Sequence, residues 1–131
     1  DIAWHCQDAV VRFTCHFDAG EYEAMEAYFA RDGVWRRTDG DVLGLEQLRA
    51  FLARRGAHVL ARHVLSNMRT TVHAADRATV DSYVTAYRAT ATDRPARLGL
   101  PLLVGRYRDE LVLEAGRWRI AQRELMVDFQ G

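Results

Sequence analysis

Apolar residues recur at three- and four-residue steps through the first part of the chain and at every second position through the rest. In IAWHCQDAVVRFTCHFD, residues 2–18, Ile2, Cys6, Ala9, Val10, Phe13 and Phe17 share one helical face. Gly20 breaks that run. A second helix is predicted over EYEAMEAYFARDG, with Tyr22, Met25, Tyr28 and Phe29 on one side and Gly33 as its stop. VWRRTDGDVLG reads as a short hairpin turning at Asp39-Gly40. LEQLRAFLARRG is a third helix with the stripe Leu45, Leu48, Phe51 and Leu52. After it the period becomes two. RHVLSNMRTTVHA, RATVDSYVTAYRATA, LLVGRYRDELVLEAG and RWRIAQRELMVDF are four successive strands, separated by AADR, TDRPARLGLP and EAGR.

Helices first and an antiparallel meander afterwards predict an α+β domain over residues 1–131, with three N-terminal helices on one face of a strongly curved sheet. Short helices do not fill such a sheet, so a pocket is expected between the first helix and the concave face.

Composition narrows the function. Acidic and basic residues balance at 18 each, which argues against a nucleic-acid binder with a broad basic face. No apolar run reaches the roughly 20 residues of a membrane helix, and DIAWHCQD lacks the basic and apolar regions of a signal peptide. Cys6 and Cys15 lie nearly opposite each other on the first helix and are expected to be free thiols, which fits a cytoplasmic protein. There is no Cys-x-x-Cys or Cys/His metal spacing, no phosphate loop and no Gly-x-Ser-x-Gly elbow, so neither a metal nor a cofactor is expected.

The polar residues within apolar patterns are the candidates for chemistry. In LARHVLSNMRTTVH, period two puts His63 and Asn67 on one strand face with Leu65. Asp18 closes the first helix, where the macrodipole disfavours a carboxylate, and so calls for a donor. His63 can be that donor, and the carboxylate would fix its tautomer and support the imidazolium. The competing reading is a core histidine bonded to a backbone carbonyl. His5 and His16 on the first helix are rivals to His63, with surface placement the plainer reading for each. Arg106, Arg108, Arg119 and Arg123 read as solvated, or as paired with Asp109, Glu110 and Glu124 on the outer face. Trp35, Tyr83, Tyr87, Trp118 and Phe129 supply aromatic bulk.

The succession FDAGEYEAMEAYFARDGVW, GLEQLRAFL, RHVLSNMRTTV, ATVDSYVTAYRA and GRYRDELVLEAGRWRIAQREL resembles a SnoaL-like domain of the nuclear transport factor 2-like superfamily, over essentially the whole chain. The resemblance implies a cone-shaped α+β barrel with a deep apolar pocket. Its branch includes scytalone dehydratase, bile-acid dehydratase and hexachlorocyclohexane dehydrochlorinase, which work without metal or cofactor. Their Asp–His dyad matches Asp18 and His63. Where those enzymes carry a Tyr or Lys before the Asp, this chain has Phe13, so the leaving group's acid would be His63 itself, Tyr83 or a water.

The resulting expectation is a cofactor-independent lyase or isomerase acting on a small hydrophobic ring compound. His63 would be the base and Asp18 its support. Asn67 would hold a substrate oxygen, and Phe13, Trp35 and Tyr83 would wall the pocket. The alternative is a binding or assembly module like the small subunit of a ring-hydroxylating dioxygenase. A homo-oligomer, dimer or trimer, through the outer sheet face is also expected.

Overall fold

A computed structural model describes residues 1–131. Helix α1 spans Ile2–Ala19 and is closed at both ends by its own sequence. The Asp1 carboxylate accepts from the Trp4 amide at 3.1 Å. Gly20 takes the left-handed conformation (φ 74°), from which Glu21 N–H returns to the His16 carbonyl at 2.9 Å. A short helix α2, Tyr22–Met25, runs on into a single 3-10 turn, Glu26–Tyr28. Strands β1 (Phe29–Arg37) and β2 (Gly40–Leu43) form the expected hairpin, and α3 covers Gly44–Ala53. Four long strands follow: β3 (Val59–Ala74), β4 (Arg77–Thr90), β5 (Leu103–Glu114) and β6 (Arg117–Gln130).

The second helix stops well short of its predicted end. From Phe29 the chain is β1, which runs parallel to β6, with Phe29 opposite Ile120 and Trp35 opposite Arg123. Gly33 is a close-packing site here, not a helix stop. A Cβ at Gly33 would lie 2.8 Å from the Phe29 ring. Sheet pairing and the burial of Phe29 thus outweigh the local helical spacing.

The sheet is six-stranded and open, in the order β2-β1-β6-β5-β4-β3. Its last four strands are the predicted antiparallel meander, and the β1–β6 pair makes the whole mixed. The turn between β5 and β6 uses two positive-φ residues, Ala115 and Gly116 (52° and 74°), which matches the twist of a tight hairpin. The apolar stripe of α1 packs on the inner sheet face, where Cys6, Val10, Phe13 and Phe17 meet Trp35, Val80, Leu111 and Ile120 in one core. Full burial of a ring such as Phe13 contributes about 2–3 kcal/mol.

Two irregularities reset which residues face inward. In β3, Ser66 pairs with Tyr83 and Arg69 with Asp81, so one extra residue sits between them. Asn67, at φ 52°, is in this β-bulge. In β6, Ile120 pairs with Leu111 and Gln122 with Glu110, which leaves Ala121 as an extra residue.

Candidate functional site

The end of α1 meets the middle of β3 at Asp18 and His63. Both oxygens of the carboxylate are used. His63 N–H donates to Oδ2 at 2.7 Å, and ring Nδ1 donates to Oδ1 at 2.6 Å. An ionised carboxylate only accepts, so Nδ1 carries a proton, which in the neutral ring leaves the lone pair on Nε2. The unfavourable charge at the helix C-terminus is thereby satisfied by two donors from one residue. The side chains are only 16% (His63) and 11% (Asp18) exposed. Phe17, one residue before the Asp, lies 5.6 Å from the imidazole, centroid to centroid.

His63 lines a cavity of about 150 Å³ together with Phe17, Trp35, Ala86, Tyr107 and Leu125. Three guanidinium side chains, Arg37, Arg55 and Arg88, also line it, with Asp39 as their one acidic neighbour there. A second, larger space of about 600 Å³ lies between β3, β4 and the 94–100 loop and shares Ala61, Tyr87 and Arg88 with the first. No three His, Cys, Asp or Glu side chains converge closely enough to hold a metal ion.

Of the predicted site residues, Asp18, His63 and Trp35 come together, and three others do not. Phe13 is fully buried below the cavity, stacked on Phe29 at 5.8 Å and edge-on to Trp35 at 5.4 Å. The wall position belongs to Phe17, one turn further along the same stripe. Asn67 is exposed, because the bulge breaks the alternation that would have aligned it with His63; Met68 takes the inward position instead. Tyr83 is 54% exposed on the outer face, since the inward phase of β4 is Val80, Ser82, Val84 and Ala86. The rival histidines lie elsewhere. His5 packs edge-on against Trp4 at 5.2 Å, and His16 bonds Glu21 at 3.1 Å. Both cysteines are free.

Sequence reading missed Tyr107 and the pair beneath it. Tyr107 is 3% exposed, and burial pushes its phenol above the ordinary tyrosine value, so it remains a proton donor in the cavity wall. Arg123 and Asp109 face inward on β6 and β5 and not outward as expected. Arg123 Nε and Nη2 donate to Asp109 at 2.7 and 3.2 Å, and Nη1 donates to the Thr14 hydroxyl at 3.2 Å. The guanidinium carbon lies 3.9 Å from the Tyr107 ring centroid. Burial pushes the Asp109 carboxyl up, and the Arg123 charge pulls against that shift. The available signal was the two-residue step Tyr107, Asp109, Leu111, which puts Asp109 on the apolar side.

The profile of a family described as SnoaL-like domain matches residues 3–124. No curated protein sequence matches the chain. Among solved structures, a Mycobacterium tuberculosis protein of unknown function is 27% identical, with a TM-score of 0.79 over 95% of this chain and 75% of its own. A provisionally assigned scytalone dehydratase from Novosphingobium aromaticivorans is 22% identical (TM-score 0.82; 97% and 84% covered). A provisionally assigned aromatic ring hydroxylase from the same organism is 20% identical (TM-score 0.82; 97% and 89% covered). At those identities the last two show a shared fold. No helix is long and apolar enough to cross a membrane.

Proposed function

Because this chain belongs to the SnoaL-like domain family, we propose that it is a cofactor-independent lyase of the dehydratase or dehydrohalogenase type, or an isomerase. Its substrate is a small hydrophobic ring compound. The observation that carries this reading is the imidazole of His63, held through Nδ1 by Asp18 at 2.6 Å while His63 lines a cavity with Phe17, Trp35, Tyr107 and Leu125. Nε2 takes a proton from a carbon next to an activating group. The electron pair left on that carbon then expels a hydroxyl or halide two atoms away, or is reprotonated elsewhere on the ring. Asp18 keeps the lone pair on Nε2 and stabilises the imidazolium once it forms. Tyr107, in the same wall, gives the departing or newly charged oxygen its proton. The scytalone dehydratase assignment of one structural relative agrees with this class of chemistry.

Volume favours a small substrate. About 150 Å³ accommodates a ring the size of benzene. A multi-ring skeleton would have to spread into the adjoining groove.

A screen of hydroxylated and halogenated cyclic compounds for loss of water or halide tests the reading. On the substrate found, His63→Gln should lower turnover by about 10²- to 10⁴-fold, the usual contribution of general acid–base catalysis, with the melting temperature kept. His16→Gln, half-buried on α1 against Glu21 and Tyr28 and outside the cavity lining, serves as the control and should change turnover little. A loss of less than tenfold in His63→Gln would sink the assignment.

A further inference from the structure

The cavity that holds His63 is chemically lopsided. The chain as a whole is neutral, with 18 basic and 18 acidic residues. Its carboxylates are spent mostly at other places: Asp109 on Arg123, Asp81 on Arg108, Asp128 on Arg106, Glu26 on Arg49 and Asp8 on Arg12. At the cavity three guanidiniums meet two carboxylates, and both are engaged: Asp39 by Arg37 at 3.0 Å and Asp18 by His63 at 2.6 Å. The adjoining groove has Arg62, Arg88, Arg94 and Arg97 in its lining and no acidic residue.

Two of the three cavity arginines, Arg37 and Arg55, are held by aromatic rings. Arg55 lies 4.1 Å from the Phe17 ring centroid and donates Nε to the Tyr22 hydroxyl at 3.1 Å. Phe17 in turn lies against His63. Arg55 is thus fixed on the ring that also lies against His63, while its terminal nitrogens have no protein partner. Arg88, shared by the cavity and the groove, has no hydrogen-bond or ion-pair partner at all. Cation–π contacts orient a guanidinium without neutralising it, so an incoming anion meets full positive charge. With low-dielectric walls around the site, the surrounding arginines also draw anions towards the mouth.

We propose that the substrate ring bears a carboxylate, and that Arg55 and Arg88 receive it at the mouth of the His63 cavity. This rests on the reading of that cavity as the active site. The planar fork of a guanidinium matches the two oxygens of a carboxylate. Anchoring the carboxylate at the rim points the ring inward to His63, past Phe17 and Trp35, so the reacting carbon lies on the part of the ring remote from the anchor.

The test measures binding apart from turnover, with benzoate, its neutral analogue benzamide, and phenyl phosphate as probes. Titrations by calorimetry and by the imidazole nitrogen signals of His63 should show benzoate binding at least about tenfold more tightly than benzamide, the weight of one charge-assisted contact. Raising the salt should weaken benzoate and leave benzamide unchanged. Arg88 has no hydrogen-bond or ion-pair partner, so Arg88→Gln breaks none; it should weaken benzoate about threefold and benzamide not at all. Adding Arg55→Gln should abolish the preference. His63→Gln should keep the preference whether or not it stops turnover, which separates this proposal from the identity of the base. Benzoate binding no tighter than benzamide, a preference that survives the double substitution, a His63 signal unmoved by benzoate, or tighter binding of phenyl phosphate would each overturn it.

Discussion

Two aspartates of this protein each hold a nitrogen base at hydrogen-bonding distance, and the two pairs sit in opposite surroundings. Asp109 meets Arg123 in the packed interior, both residues almost wholly buried, with Thr14 taking a further guanidinium donor. Asp18 meets His63 at the rim of a cavity, with both side chains partly open. An arginine does not give up its proton, so the inner pair is fixed in one charge state and can only hold α1 to the sheet. An imidazole gives and takes a proton near neutral pH, and this one leaves a nitrogen unused. The chemistry of the partner base and the space beside it separate a pair fixed in one charge state from one that can exchange a proton; the aspartate is common to both.

The comparison breaks most visibly at the inner pair. Asp109→Asn leaves a guanidinium buried without its counter-charge and should cost about 3–5 kcal/mol, read as a fall in denaturation midpoint. Replacing both partners by apolar residues, Asp109→Leu with Arg123→Met, should recover most of that loss, because the penalty comes from the orphaned charge. If the double variant is as unstable as the single, Arg123 holds the fold together by more than its pairing.

At the outer pair the same type of change should act on rate before stability. Asp18→Asn keeps an oxygen for the His63 amide and removes the negative charge behind the ring. Stability should drop by about 1 kcal/mol, and turnover should fall about tenfold or more, yet less than in His63→Gln. Equal stability losses in Asp18→Asn and Asp109→Asn would erase the distinction drawn between the pairs.

Tyr107 touches both regions, against Arg123 and in the cavity wall. Burial raises its phenol, so the unfolded chain releases that proton first as pH climbs. Its contribution to stability is therefore intact below the ordinary tyrosine value of about 10 and fades above it. Tyr107→Phe should flatten the alkaline end of the stability profile and lower turnover modestly, about tenfold. A variant with unchanged kinetics would remove Tyr107 from the reaction and leave a packing role.

The smallest effect concerns the two thiols of α1. Burial pushes Cys6 up to about 11, whereas Cys15 is exposed. A thiol reagent should label Cys15 at once and Cys6 only as the protein unfolds. Rapid labelling of both would mean that α1 lifts from the core easily.

Local pattern was enough for much of this architecture. Helical spacing marked α1 and α3, period two marked the four long strands, and Asp39-Gly40 and Gly116 marked tight turns. The partnership of Asp18 with His63 was also legible, because a carboxylate at a helix C-terminus needs a donor and an imidazole in an apolar strand needs a reason. Other assignments depended on contacts distant in sequence. Phe29–Arg37 became a strand because β6 lay alongside to pair with it. The bulge at Asn67 turned that residue outward, and the extra Ala121 turned Arg123 inward to meet Asp109. Side chains alternate with a period of two, so one inserted residue exchanges every position beyond it between core and solvent. The insertion is defined by the partner strand's register. The sequence therefore determined which elements form and which residue types they carry, while the pairing of strands far apart in the chain decided which of those residues share the cavity.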